Sequence, residues 1–148
     1  MKIRPSVWCA LCIGALCQAQ VANASCLLTG PAAIKGTYGW AVQGYNIQPA
    51  EPNTPKPPPT YLAIAGTYTF DGKGKVSRKF DISADGNIIE NLTDAGTYTV
   101  NPDCTAIAKI TAPQFIETIK ITILQGGAIL TFINATPTVV LAGQLIRQ

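Results

Sequence analysis

Apolar and polar residues alternate along most of this chain, and turn residues separate the alternating segments. In residues 35–45, for example, Tyr38, Trp40 and Val42 fall on one face. A period of two is typical of a β-strand with one buried face. Nine such segments are present, at residues 35–45, 61–71, 74–83, 87–92, 96–101, 104–112, 115–125, 128–134 and 138–146. No helical periodicity longer than two turns competes with this pattern, so the chain is predicted to be all-β.

The triplet Gly-Thr-Tyr occurs three times, beginning at Gly36, Gly66 and Gly96, at an even interval of thirty residues. Glycine before a β-branched and an aromatic residue suits the start or bend of a strand. The interval accommodates one strand pair with its turns, which favours an antiparallel meander. Such a sheet hides its edges most simply by closing on itself. We therefore predict a single-domain, antiparallel up-and-down β-barrel of about eight strands, with a β-sandwich as the alternative.

Residues 1–24 have the pattern of a secretory signal peptide. Lys2 and Arg4 precede an apolar run at residues 7–16, and the small residues at 22–24 fit signal peptidase. A lipoprotein is the alternative, but no leucine stands three residues before Cys17 or Cys26. The apolar run is too short to span a bilayer. The mature chain, residues 25–148, is thus expected to be secreted or periplasmic and to have no transmembrane segment.

Cysteine usage agrees with an oxidising compartment. Five cysteines are present, and only Cys26 and Cys104 follow the predicted signal peptide. Two cysteines in such a compartment usually pair. A Cys26–Cys104 disulfide would close a loop of about 80 residues and stabilise the fold by roughly 4 kcal/mol in the chain-entropy model. A reactive thiol, the alternative, would lack a histidine to activate it.

Composition argues against most catalytic and cofactor chemistry. The chain has no histidine, which removes histidine base catalysis, Ser-His-Asp triads and most zinc sites. It also has no phosphate-binding or dinucleotide motif and no calcium loop, so no cofactor and no metal are expected. The net charge is +3, about +1 without Lys2 and Arg4, and the basic residues are scattered. This balance argues against nucleic acid as a partner.

Two charged residues interrupt the inward apolar pattern. Arg78 shares its face with Val76 and Phe80, and Glu117 shares its face with Ile119. A charge on a core-facing position is costly unless it is paired or hydrated. Either each side chain reaches water at a bulge or rim, or both line a cavity. In the second case Arg78 could hold a ligand carboxylate, with Glu117 as its partner in the empty state.

Aromatic residues recur near the starts of the strands, and two interpretations stay open for them. They form core layers in a filled barrel, or they form cavity walls if the interior is hollow. The residues concerned are Tyr38, Trp40, Tyr68, Phe70 and Tyr98.

A proline-rich loop at residues 47–60 separates the first two predicted strands and contains six prolines. Proline cannot donate to a β-ladder, so this segment is predicted to be a stiff, extended excursion. Three interpretations are open for this segment: a solvent-exposed loop, a lid over the barrel mouth, or a polyproline recognition segment.

At the level of the fold, the chain resembles the calycin group of small secreted barrels, the lipocalins and avidins. The resemblance lies in the signal peptide, in the first strand around Gly39 and Trp40, and in the long loop followed by hairpins. Arg147 is similar to the arginine that packs on the first-strand tryptophan of lipocalins, which implies a cation–π contact with Trp40. The resemblance implies the barrel fold and says little about a ligand.

The function that these patterns favour is non-catalytic binding of a small apolar or amphipathic molecule inside the barrel. The expected ligand-binding residues are Tyr38, Trp40, Tyr68, Phe70, Arg78 and Glu117. One alternative is a structural or protein-interaction domain with a filled core. Another is an enzyme, a barrel cyclase or isomerase that uses Glu117 and a tyrosine.

Overall fold

Eight antiparallel strands form a closed barrel in the computed structural model, which describes residues 29–49, 51–112 and 116–148. Each strand pairs with the next, and the last pairs with the first. The strands are β1 (Gly36–Asn46), β2 (Thr60–Phe70), β3 (Lys75–Ala84), β4 (Asn87–Val100), β5 (Thr105–Thr111), β6 (Ile116–Leu124), β7 (Ile129–Asn134) and β8 (Val139–Arg147). The prediction of an up-and-down barrel of about eight strands is confirmed, and the sandwich alternative is not adopted.

The predicted segments 87–92 and 96–101 are one continuous strand, β4. The register between β3 and β4 shifts between Phe80 and Ile82, where Asn91 adopts a positive φ of 57°. The backbone N–H of Asn91 donates to the Asp81 carboxylate at 2.7 Å. A β-bulge of this kind interrupts the alternation of side chains without ending the strand. The sequence pattern therefore shows two segments where the backbone has one.

The repeated triplets occupy different places along their strands. Gly36 begins β1, whereas Gly66 and Gly96 lie inside β2 and β4. A Cβ atom at either of these inner positions would meet the backbone of the neighbouring strand, at Lys79 and Lys109 respectively. The first copy therefore begins a strand, and the other two lie within strands. At the other two, glycine permits close approach of adjacent strands.

One end of the barrel, here called the closed end, is covered by a 3-10 helix at Pro31–Ile34. Ile34 is completely buried there. The hydroxyl of Tyr98 donates to the carbonyl of Pro31 at 2.8 Å, and the hydroxyl of Tyr38 donates to the carbonyl of Gly127 at 2.7 Å. Two tyrosines of the repeat thus fasten the loops that close this end.

The opposite end, here called the arm end, carries the proline-rich connection between β1 and β2. In the described part of this connection, residues 47–49 and 51–59, almost every residue is exposed. Asn53 has a positive φ of 66°, and the N–H of Thr54 donates to the carbonyl of Glu51 at 3.2 Å. Residues 55–59 then run to β2 without strand pairing. The segment is an exposed arm with a turn at its middle.

Several predictions fall on residues outside the described part of the chain. The predicted signal peptide and Cys26 both lie there, so export and the Cys26–Cys104 disulfide stay predictions. Cys104 is partly buried and packs against the core. In the described ranges, no helix is long and apolar enough to cross a bilayer.

Candidate functional site

Arg78 lies on β3 and points into the barrel, where only 8% of the residue is exposed. The register places it between Tyr68 on β2 and Asp94 on β4. Its guanidinium grips Asp94 with two hydrogen bonds, from Nε to Oδ1 at 2.6 Å and from the second terminal nitrogen to Oδ2 at 2.7 Å. This bidentate arrangement is the strongest geometry for an arginine–carboxylate pair.

Glu117, near the start of β6, completes the pairing of Arg78 from across the barrel. Its Oε2 lies 2.5 Å from a terminal nitrogen of Arg78, and its Oε1 accepts a hydrogen bond from the amide of Asn134 at 2.5 Å. Asn134 accepts in turn from the backbone N–H of Thr136 at 2.7 Å, which fixes the orientation of its amide. We call Arg78, Asp94, Glu117 and Asn134 the charged cluster.

Two members of the charged cluster lie at the arm end of the barrel, whereas Arg78 is the fourth residue of β3, counted from the closed end. Glu117 is the second residue of β6 and Asn134 is the last residue of β7. Asp94 precedes Ala95, which pairs with the last residue of β5. The ionic side chains each keep 7% of their surface exposed. They are therefore nearly desolvated, but water still reaches their edge.

Electrostatically, the charged cluster holds one positive and two negative groups. Burial opposes the charge of Arg78, but hydrogen bonds and charges from Asp94, Tyr68 and Glu117 outweigh this and raise its pKa above the ordinary value. All four carboxylate oxygens accept hydrogen bonds from Arg78 or Asn134. Removal of one member of such a group leaves an uncompensated buried charge.

Tyr68 links the charged cluster to the aromatic interior. Its hydroxyl accepts a hydrogen bond from Arg78 at 3.1 Å. Burial raises the pKa of Tyr68 to about 12, although the positive charge of Arg78 opposes the shift. The phenol therefore stays protonated at neutral pH.

The aromatic residues predicted for the site form a chain of ring contacts. Centroids are 5.5 Å apart for Tyr38 and Phe70, 6.0 Å for Phe70 and Tyr68, and 5.1 Å for Tyr68 and Trp40. Through Tyr68 this chain reaches the charged cluster. The structure thus brings all six residues of the expected site into one interior network; the part they play in ligand binding stays a prediction.

The indole N–H of Trp40 is a polar group of this network that has no partner in the described part of the chain. The residue is 6% exposed. Its ring lies near Phe80 and Phe132, at centroid distances of 6.3 and 6.0 Å. Leaving a buried donor unpaired costs about 1–3 kcal/mol.

The expected contact between Arg147 and Trp40 is wrong, because the register places Arg147 opposite Tyr38 and Leu145 opposite Trp40. The guanidinium carbon of Arg147 lies 5.3 Å from the centroid of the Tyr38 ring. Its Nε and one terminal nitrogen donate to the Tyr38 hydroxyl at 3.2 and 2.7 Å. Arg147 therefore binds Tyr38 at the closed end and does not cover Trp40.

On β2 and β3, exposure of inward-facing residues rises toward the arm end. Phe70, near the closed end, is 1% exposed, whereas Ile64 and Phe80 are 7% and 8% exposed. Six hydrophobic residues are only partly buried and pack against the core: Leu62, Ile82, Leu92 and Val139 toward the arm end, and Val100 and Cys104 at the closed end. More of the partly buried apolar residues thus lie at the arm end than at the closed end.

Sequence patterns did not single out Asp94 and Asn134 as site residues. Asp94 shares a face with Tyr98 on β4, and Asn134 shares a face with Phe132 on β7. The alternation of inward and outward side chains along these strands could have revealed the inward position of both residues. Asp94, however, lies in the gap between two predicted segments, and Asn134 is the last residue of its segment, where the alternation gives the weakest signal.

A separate depression of about 660 Å³ lies on the outer face of the barrel. It is lined by residues of β1 to β4 and β8, among them Ala41, Ala63, Asp81 and Ile88. None of its apolar lining belongs to the aromatic chain inside. It is an open surface feature, distinct from the interior site.

Comparison with known proteins gives no significant match to a protein-family model, a curated protein sequence or a solved structure. In the described ranges, no group of three histidine, cysteine, aspartate or glutamate residues is placed to hold a metal ion. The chemistry of the barrel interior is therefore the main guide to function.

Proposed function

We propose that the protein is a calycin-like, non-catalytic binding protein that holds a small apolar or amphipathic ligand at the arm end of its barrel. The carrying observation is the charged cluster, which lies beside aromatic rings inside the barrel. A filled core gains little from such a cluster, because buried ion pairs are often no more stable than apolar residues of similar volume. A few placed polar groups in an aromatic lining are typical of small-molecule sites.

Binding without turnover fits the interior better than catalysis does. A general base needs a carboxylate or phenolate that can reach a substrate proton. Both oxygens of Glu117 are already engaged, by Arg78 and Asn134. Burial raises the pKa of Tyr68 to about 12, so this phenol is a poor base at neutral pH. The cyclase or isomerase alternative therefore has less support.

Export from the cytoplasm is part of the proposal and rests on the sequence of residues 1–24. Cleavage after Ala24 would leave a chain that begins at Ser25 and contains Cys26 and Cys104. This chain would also contain one tryptophan, Trp40, because Trp8 lies in the segment removed. Indole fluorescence would then report on the barrel interior alone.

Native mass spectrometry of the protein purified from its own source tests the proposal. The expected result is the mass of residues 25–148 with a small molecule attached, which is lost when the protein unfolds. Apolar probes should in parallel change the fluorescence of Trp40 in the stripped protein. A folded protein that carries no adduct and whose fluorescence no apolar probe changes would contradict ligand binding.

The second candidate function is a protein-interaction domain, which the outer face favours. Tyr45 and Tyr61 contact each other there at 5.6 Å and are 47% and 39% exposed. The depression of about 660 Å³ lies on the same strands. Under this alternative, Tyr45→Ser and Tyr61→Ser would abolish association with a partner and leave the interior unchanged.

A further inference from the structure

The charge balance of the charged cluster indicates which ligand chemistry the barrel selects. Arg78 contributes +1, and Asp94 and Glu117 contribute −1 each, so the sum is 1 − 2 = −1. The fourth member, Asn134, is neutral. Because the ionic side chains are nearly buried, little water screens this excess charge.

Four of the five N–H donors of Arg78 are engaged by groups of the protein. Its Nε and one terminal nitrogen hold Asp94, that same nitrogen contacts Glu117, and the other terminal nitrogen donates to Tyr68. An incoming carboxylate could form a bidentate pair with Arg78 only by displacing one of the protein's own carboxylates. The displaced group would then be buried and unpaired, in a site that already carries excess negative charge.

Glu117 and Asn134, by contrast, can each accept further hydrogen bonds. Each oxygen of Glu117 accepts one hydrogen bond, and a carboxylate oxygen has two lone pairs. Asn134 Oδ1 likewise accepts a single hydrogen bond, from Thr136. A ligand that brings donors and positive charge can therefore bind here without breaking an existing pair.

Aromatic rings beside the cluster favour the same kind of group. The guanidinium carbon of Arg78 lies 4.7 Å from the centroid of Phe80 and 5.8 Å from that of Tyr68. Trp40 contacts both rings, at 6.3 and 5.1 Å. Ring faces attract cations, and most strongly when water is excluded.

Trp40 supplies a second, independent indication that a ligand belongs here. Its buried indole N–H is unpaired in the described part of the chain, although it lies one ring away from the charged cluster. Buried donors in folded proteins are almost always satisfied. An ammonium group has no acceptor for this donor, so the choice of head group rests on the charge and the ring contacts of the cluster.

We propose that the ligand is a cationic amphiphile, an amine with an apolar tail. Its ammonium group binds Glu117 and Asp94, and its tail lies against the partly buried residues of the arm end. This inference rests on the proposed function and deepens it. It replaces the ligand carboxylate that the sequence suggested for Arg78.

Three probes with eight carbon atoms each and different head groups test the inference on the mature protein: octylamine, 1-octanol and octanoate. Binding is measured at pH 7 by calorimetry and by the fluorescence of Trp40. Octylamine should bind at least about tenfold more tightly than 1-octanol, and octanoate should bind most weakly, because the excess charge attracts a cation and repels an anion.

Two matched variants locate the effect. Glu117→Gln removes one negative charge inside the barrel, and Glu90→Gln removes one from an exposed position of β4. The first should reduce the preference for octylamine over 1-octanol by about tenfold, whereas the second should leave it within about twofold of the wild type. If Glu117→Gln does not fold, the inference is tested by the ratio of the affinities for octylamine and 1-octanol in the wild-type protein.

The outcomes separate this inference from the proposed function. Tightest binding by octanoate, or equal binding of octylamine and 1-octanol, would overturn the amine while the binding function stands. Failure of all three probes to bind would count against the binding function itself. An equal loss of preference in Glu90→Gln and Glu117→Gln would show that overall charge, and not the cluster, selects the ligand.

Discussion

Arg78 and Asp94 face each other across β3 and β4 inside the barrel, joined by hydrogen bonds of 2.6 and 2.7 Å. Both side chains are 7% exposed. The pair therefore combines the best geometry for an arginine and a carboxylate with an environment that penalises either charge alone. This combination makes the cluster sensitive to any change that removes one member.

Arg78→Met is expected to destabilise the protein strongly, because it leaves Asp94 and Glu117 buried without their cation. The expected loss in the free energy of unfolding is about 3–5 kcal/mol. Urea denaturation followed by circular dichroism measures it. Lys79→Met, at the next and exposed position of β3, is the control and should change the free energy by less than about 0.5 kcal/mol. Similar small effects of both substitutions would show that the cluster is not electrostatically coupled.

Tyr38→Phe should weaken the closed end of the barrel. The substitution removes the hydroxyl that donates to Gly127 and accepts from Arg147, and it leaves the buried carbonyl without that donor. A loss of about 1–3 kcal/mol is expected. Tyr45→Phe, on the exposed face of the same strand, provides the matched control. Equal melting temperatures for the two variants would contradict the role assigned to the Tyr38 hydroxyl.

Stability should fall at alkaline pH because of Tyr68. Burial raises the pKa of this phenol from 10.0 to about 12. A raised pKa in the folded state favours the protonated form, so its contribution is complete below pH 10 and is lost as the pH rises toward 12. The loss is on the order of 3 kcal/mol. Denaturation curves between pH 8 and 12 should show this decline, and Tyr68→Phe should reduce it. Burial also raises the pKa of Tyr98, which adds a decline in the same direction.

A disulfide between Cys26 and Cys104 is expected in the exported protein. Intact-mass measurement should give a value two hydrogens below that of the reduced chain, and proteolysis should yield one linked peptide pair. Reduction should lower the free energy of unfolding by up to about 4 kcal/mol in the chain-entropy model. Two alkylatable thiols in the folded protein from its own source would disprove the pairing.

The sequence alone was enough to predict the strands and two charged members of the site. Around Arg78 and Glu117 the alternation is unbroken, so their inward direction could be read from neighbours such as Val76 and Ile119. The tyrosines of the repeat were visible in the same way. Local side-chain alternation needs no knowledge of the rest of the fold.

Features that depend on long-range register could not be predicted. The bulge at Asn91 hid the continuity of β4, and with it the inward position of Asp94. The choice of Tyr38 over Trp40 as the partner of Arg147 depends on how β8 pairs with β1. A difference of two residues in that pairing moves the arginine from one ring to the other, and no local pattern fixes it.

The indole N–H signal of Trp40 in a proton–nitrogen NMR spectrum of the mature protein gives the most direct test of binding at the arm end. Titration with octylamine should shift this signal saturably, and Glu117→Gln should weaken the response while Glu90→Gln preserves it. If the signal of Trp40 stays fixed while amides around Ala41 and Ala63 on the outer face move, the ligand binds outside the barrel and the interior site is wrong.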